Sequence, residues 1–127
     1  HAVQDAFGFV AEAVEPMIAE ALNLSRAEIH GVVTFYHDFR RKPAGCHVLK
    51  LCRAEACQSM GGDALAAHAE AALGVAMGGT TADGRVTLEP TYCLGLCATA
   101  PSAMLDGRLV GRLDVARLDR LLSEAQR

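Results

Sequence analysis

Four cysteines stand in two pairs, Cys52 and Cys57 as C-x4-C and Cys93 and Cys97 as C-x3-C. Thiolates so placed ligate a structural metal, ligate an iron–sulfur cluster, or cycle as a redox dithiol. In an extended strand Cys52 and Cys57 would lie roughly 17 Å apart on opposite faces, so the chain must turn between them before both reach one centre. Structural zinc takes four tetrahedral ligands, most often from C-x2-C knuckles, and neither pair is one. A cluster spreads its thiolates over more than one metal and suits wider spacings. Spacing therefore tilts toward a cluster and leaves zinc open. Dithiol chemistry uses C-x2-C at a helix start, which is absent. The plant-type ferredoxin run of three close cysteines does not match. Rieske ligation needs Cys and His paired on separate loops, and Cys46-His47 has no counterpart near Cys93 or Cys97.

The neighbours of the four cysteines suit an anionic group. Backbone amides and a helix N-terminus stabilise negative charge, and Gly61 and Gly62 stand where a helix should begin. Ala54, Ala56 and Gly95 are small enough for the backbone to come close, and Arg53 adds a positive charge. The plainer alternative is that the glycines relax a loop and Arg53 is solvated. The fifth cysteine, Cys46, lies roughly 20 Å from Cys52 along a strand, so it reads as a partly buried thiol without a role. His30, His37, His47 and His68 are scattered over different elements and read as surface or hydrogen-bonded residues. No Ser/His/Asp set, phosphate-binding glycine loop or paired-acid motif is present, so no catalytic residues are assigned.

The elements that must hold these cysteines follow from periodicity. Ala2 to Val14 reads as a helix, Pro16 opens a second through Leu22, and Ser25 with Glu28 forms a capping box for a third. On the third, Ile29, Val32, Val33, Tyr36 and Phe39 recur at helical spacing. Phe35, Tyr36 and Phe39 read mostly as core rather than as a docking surface. Pro43 and Gly45 close this region, which divides the chain into a helical segment, 1–42, and a cysteine-bearing domain, 43–127. Cys46 to Cys52 reads as a strand. Asp63 caps a helix to Leu73, Asp83-Gly84 turns into a strand over Arg85 to Glu89, and Asp106-Gly107 joins Ser102–Leu105 to Arg108–Gly111 as a hairpin. Asp114 caps a final helix with Val115, Leu118, Leu121 and Leu122 on one face. The order β-α-β-β-β-α implies an α/β fold, helices on a small mixed sheet. Both cysteine pairs then fall just past the C-terminal ends of neighbouring strands, where their loops lie side by side.

Composition bounds the partners. The chain has 127 residues, 51% of them apolar, and a formal net charge of −3, enough for one core and without the basic footprint of a nucleic-acid binder. No apolar run reaches the roughly 18 residues of a membrane span, so the chain reads as soluble and not membrane-inserted. Asp5 and Glu12 interrupt any apolar signal core and His1 stands first, so the start reads as a trimmed end without a secretory signal. Five cysteines without an export signal fit a reducing, cytoplasmic setting, where thiols bind metals more often than they form disulfides.

These residues together resemble a known family, the thioredoxin-like 2Fe-2S proteins, which include the 24-kDa-type subunit of complex I and small subunits of NAD-linked formate dehydrogenases and hydrogenases. The resemblance runs through Gly31-Val-Val-Thr-Phe-Tyr-His-Asp-Phe39, Cys52-Arg-Ala-Glu-Ala-Cys57, Thr81-Ala-Asp-Gly-Arg-Val-Thr-Leu-Glu89 and Cys93-Leu-Gly-Leu-Cys97 with Ala100-Pro101 and Asp106-Gly107. It implies that Cys52, Cys57, Cys93 and Cys97 ligate one 2Fe-2S cluster, two per iron, on a thioredoxin-like fold preceded by a small helical bundle. It also implies a cis bond at Ala100-Pro101 and a partner subunit that binds flavin and NAD. Cys52-Arg-Ala-Glu-Ala-Cys-Gln-Ser-Met-Gly61 looks most like the gamma subunit of soluble, NAD-reducing formate dehydrogenases, since complex I relatives tend to carry Thr and Pro there. The implied function is electron transfer within an NAD-reducing complex whose catalytic subunit oxidises formate. The corresponding subunit of complex I or of an NAD-reducing hydrogenase is the near alternative, and a zinc-binding interaction module the distant one. A free ferredoxin shuttling between enzymes is the contrasting reading.

Overall fold

A computed structural model describes residues 1–127. The chain divides into two compact units, His1–Ala44 and Gly45–Arg127.

The first unit is helical: α1 (Ala2–Phe7), a 3-10 turn (Glu12–Val14), α2 (Glu15–Leu22) and α3 (Arg26–Phe35). The single helix expected over Ala2–Val14 is broken because Gly8 takes a left-handed conformation at φ 80° and ends α1. Pro16 lies in the first turn of α2, where its missing N–H deprives no carbonyl of a partner. At the start of α3 the Ser25 hydroxyl accepts the Glu28 amide, while the Glu28 carboxylate accepts the Ser25 amide at 2.8 Å. These bonds hold the Glu28 carboxyl below its usual range. The core is small: Val10, Ala19, Ile29 and Val33, with Val3, Ile18 and Phe39 against it. The helical stripe is therefore only partly core. Val32, Phe35 and Tyr36 are exposed, the last two at 74% and 56%, which corrects the expectation that the aromatic residues are mostly core, since of the three only Phe39 packs against it. Fully buried instead is Glu15, whose carboxylate accepts from His30 Nδ1 at 3.0 Å.

The second unit is a four-stranded sheet in the order β2-β1-β3-β4, built from β1 (His47–Cys52), β2 (Val86–Thr91), β3 (Ala103–Leu105) and β4 (Arg108–Val110). β1 pairs parallel with β2 from His47↔Val86 to Cys52↔Thr91 and antiparallel with β3. Such a parallel pair needs a crossover, supplied by α4 (Glu55–Ser59) and α5 (Gly62–Leu73). The hairpin turn has positive φ at both Asp106 and Gly107, 50° and 85°, as a two-residue turn between twisted strands prefers. Asp106 is tied further: its carboxylate accepts the Val48 amide at 2.8 Å and His47 Nδ1 at 2.7 Å. The final helix, α6 (Val115–Ala125), is capped by Asp114, which accepts the Arg117 amide at 2.7 Å. Leu118, Leu121, Leu122 and Ala125 form its buried face; Val115 is exposed. The core joins these to Leu49, Leu51, Val86, Leu88, Ala103 and Leu105 of the sheet and to Leu65, Ala66, Ala69 and Leu73 of α5.

Three local expectations change. Gly61, with φ 92°, is the N-cap of α5, and Asp63 sits in its first turn. The Cys52–Cys57 loop contains its own short helix, α4. Cys46 is exposed rather than partly buried.

Candidate metal centre

Parallel pairing puts the C-terminal ends of β1 and β2 side by side, so Cys52 on the last residue of β1 and Cys93, two residues beyond β2, start adjacent loops. After Cys52 the chain turns at once. The Arg53 amide donates to Thr91 O at 2.8 Å, and Gln58 Nε2 donates to Arg53 O at 2.8 Å. That fold-back lets α4 carry Cys57 to Cys52. Gly62 makes the packing possible, since a Cβ there would lie 2.6 Å from Cys57 O. In the second loop Cys93 holds a positive φ of 84°, uncommon for a residue with a side chain and costing of order 1–3 kcal/mol. The Gly95 amide donates to Cys93 Sγ at 3.4 Å, and Cys93 Sγ stands 3.6 Å from Cys97 Sγ.

Cys52, Cys57 and Cys97 line one cavity of about 280 Å³ with Leu94, Leu96 and Ser102, along with the Ala54–Ala56 stretch. Cys93 joins them through Cys97 and through its amide, which reaches the Cys52 thiol. Cys52 and Cys57 are buried at 4% and 2% exposure, whereas Cys93 and Cys97 are exposed. The four thiols thus span from the interior to the surface. Burial pushes the Cys52 thiol up, but the Ala54 amide, the Cys57 thiol, the Cys93 amide and the Ser102 hydroxyl together outweigh it and bring it below its ordinary range. Cys97 moves the other way, raised by its hydrogen bond to Cys93 and then by the charge of Cys93. A thiolate is the metal-binding form, and the polar contacts around Cys52 favour it.

The donor set, four cysteine sulfurs, fits a group held by thiolates. Two sulfurs on one tetrahedral metal, each about 2.3 Å from it, lie roughly 3.8 Å apart, close to the 3.6 Å between Cys93 and Cys97. Cys52, Cys57 and Cys97 border the cavity itself.

Arg53 is held by Asp63, whose Oδ1 accepts from its Nη2 at 2.9 Å, and its buried Nε has no partner. The reading of Arg53 as simply solvated is therefore wrong. Sequence reasoning misses Ser102 altogether: it reads as the start of a strand, yet it precedes β3, is 2% exposed, and turns its hydroxyl to the cysteines. Its only sequence signal is its place after Pro101, where the Ala100-Pro101 bond is cis.

The chain belongs to the Thioredoxin-like [2Fe-2S] ferredoxin family, which it matches over residues 1–126. A 2Fe-2S cluster is the cofactor of that family, and the mixed α/β fold described above is its thioredoxin-like fold. Among curated relatives, the E subunit of NADH-quinone oxidoreductase from Pseudomonas aeruginosa is 38% identical over 104 residues, 82% of this chain and 63% of the relative. NADP-reducing hydrogenase subunit HndA of Solidesulfovibrio fructosivorans is 29% identical over 124 residues, 98% of this chain and 72% of the relative. A crystal structure of NAD+-reducing [NiFe]-hydrogenase in the H2-reduced state superposes with a TM-score of 0.83 at 31% identity, covering 98% of this chain and 21% of that one. The chain therefore spans 63% of the length of the Pseudomonas relative and about a fifth of the hydrogenase chain. No helix is long and apolar enough to cross a membrane.

Proposed function

We propose that Cys52, Cys57, Cys93 and Cys97 hold one 2Fe-2S cluster, two thiolates per iron, and that the chain is an electron-transfer subunit of an NAD-reducing complex. The observation that carries this is the convergence of the two cysteine loops on one cavity, with Cys93 and Cys97 sulfurs 3.6 Å apart. When bound, the cluster takes up and releases one electron at a time. The chain's own residues keep Cys52 and Cys57 away from water and present Cys93 and Cys97 at the surface, where a partner would approach. Anaerobic reconstitution should give a brown protein with equal iron and acid-labile sulfide that bleaches with dithionite. A colourless zinc protein overturns the reading in favour of a structural zinc module.

Hydride chemistry on a nicotinamide moves two electrons, so a flavin must stand between it and a one-electron carrier. The chain has no glycine-rich dinucleotide fingerprint, so flavin and NAD belong on a partner subunit, with the whole assembly in the cytoplasm. Residues 1–42 form the docking segment, with Phe35 and Tyr36 exposed, and the faces around Arg53 and Leu94 form the second contact. Within this class the Cys52–Gly61 segment favours a complex whose catalytic subunit oxidises formate, while the named relatives favour NADH-quinone oxidoreductase or hydrogenase. Co-purification with flavin-containing subunits and formate-dependent NAD reduction by the purified complex tests both levels. A monomer in cell extract that exchanges electrons with unrelated reductases overturns the subunit reading. Hydrogen- or quinone-linked activity without formate oxidation overturns only the formate one.

A further inference from the structure

Ser102 stands out among the buried polar residues because its hydroxyl faces sulfur. Its Oγ lies 3.6 Å from Cys57 Sγ. The backbone holds it there: Ser102 O accepts the Cys52 amide at 3.0 Å, and the preceding Pro101 O accepts the Leu113 amide at 2.9 Å. At 2% exposure, water cannot substitute for sulfur as acceptor. A buried hydroxyl must find an acceptor, and the one within reach here is the Cys57 sulfur.

We infer that Ser102 sets the reduction potential of this centre by donating its hydroxyl to the Cys57 thiolate. Uptake of one electron makes the thiolate-bound group more negative. A fixed O–H dipole aimed at one of its sulfurs stabilises that state more than the oxidised one, so the hydroxyl raises the potential. Ser102 acts through Cys57 and is a positioning residue rather than a ligand. The inference rests on the cluster assignment above, and its test separates the two.

The experiment is an EPR-monitored titration of the reconstituted protein with dithionite in the presence of mediators. In Ser102→Ala, poised at the wild-type midpoint, the reduced-to-oxidised ratio falls about tenfold, equivalent to a midpoint about 59 mV more negative. Ser102→Thr, which keeps the hydroxyl, stays near the wild-type midpoint. The Fe–S(Cys) stretching bands in resonance Raman spectra lose part of their H2O-to-D2O shift in Ser102→Ala and keep it in Ser102→Thr. Where the Ala variant does not load iron, Ser102→Gly removes the hydroxyl without adding apolar volume and carries the same comparison. A hydroxyl-less variant with full iron, an unchanged midpoint and unchanged solvent-isotope shift overturns the inference and leaves the cluster assignment standing. So does a Thr variant displaced as far as Ala. A wild-type protein without iron or sulfide overturns the assignment itself.

Discussion

Gly62 is the position where a single methyl group should disturb the site most. A Cβ on it would lie 2.6 Å from Cys57 O, 3.0 Å from the Cys57 carbonyl carbon and 3.6 Å from Cys52 O. Ordinary contact begins near 3.4 Å, so in Gly62→Ala the Cys57 carbonyl must withdraw by roughly 0.8 Å to restore normal packing. Alanine brings up to about 1 kcal/mol through helix propensity and a less flexible unfolded chain. Overpacking costs about 1–3 kcal/mol, toward the upper end here because the obstacle is the Cys57 backbone rather than a flexible side chain. The balance is a loss of about 1–2 kcal/mol, or roughly 5–15 °C in Tm for a unit of this size. Calorimetry on the reconstituted protein, with iron content measured in parallel, checks it. Gly31→Ala is the control, because a Cβ on Gly31 in α3 meets nothing within 4 Å, and it should stabilise by up to about 1 kcal/mol. A Gly62→Ala protein that melts at or above wild type with full iron would refute the claim that the start of α5 leaves no room for a side chain beside the Cys57 carbonyl.

Three further outcomes follow from the same structure. Cys57→Ala should abolish stoichiometric iron and the visible chromophore, whereas Cys46→Ala, at an exposed position that is not part of the cavity lining, should leave both at wild-type levels by iron assay and absorbance. His30→Ala leaves the buried Glu15 carboxyl without its partner and should destabilise by about 1–3 kcal/mol, more if the group stays charged. Glu15→Gln leaves a half-exposed His30 open to water and should cost less; equal losses in urea unfolding would refute the asymmetry. Burial raises the Asp106 carboxyl, but the His47 ring, the Val48 amide and the charges of His47 and Arg108 together hold it below its usual value of 3.8. A depressed carboxyl contributes stability that is complete above the unfolded value and lost as pH falls through the folded one, so Asp106→Asn should flatten the stability profile below about pH 4, as read by urea unfolding across pH.

Much of the second unit is legible in the sequence because its signals are local. Asp106-Gly107 can hardly be other than a tight turn, and Asp114 caps the helix that follows it through its own side chain. The change from helical periodicity to Cys46–Cys52 marks a strand that the structure starts one residue later. Convergence of the two cysteine loops follows from the βαβ order, since a parallel pair brings both C-terminal strand ends to one edge. Position inside the loops is less legible. α4 has no capping side chain and spans only Glu55–Ser59, so nothing in the residues announces it. Ser102 is invisible for another reason: a serine before a short strand reads the same whether its hydroxyl meets water or sulfur, and only the register of β1 against β3 decides.

The helical unit shows the opposite limit of periodicity. Residues recurring every three or four positions mark an apolar face, but the pattern is silent on what covers that face. With helices of 6, 8 and 10 residues, this unit buries four apolar side chains. The remaining positions of the stripe outrun that core, and Phe35 and Tyr36 meet edge to face with ring centroids 5.1 Å apart on an exposed surface. The same spacing that first argues for core therefore does not fix burial until the size of the core is known. Size is a tertiary property: it depends on Gly8 breaking the first helix and on Glu15 occupying interior volume that an apolar residue would otherwise fill.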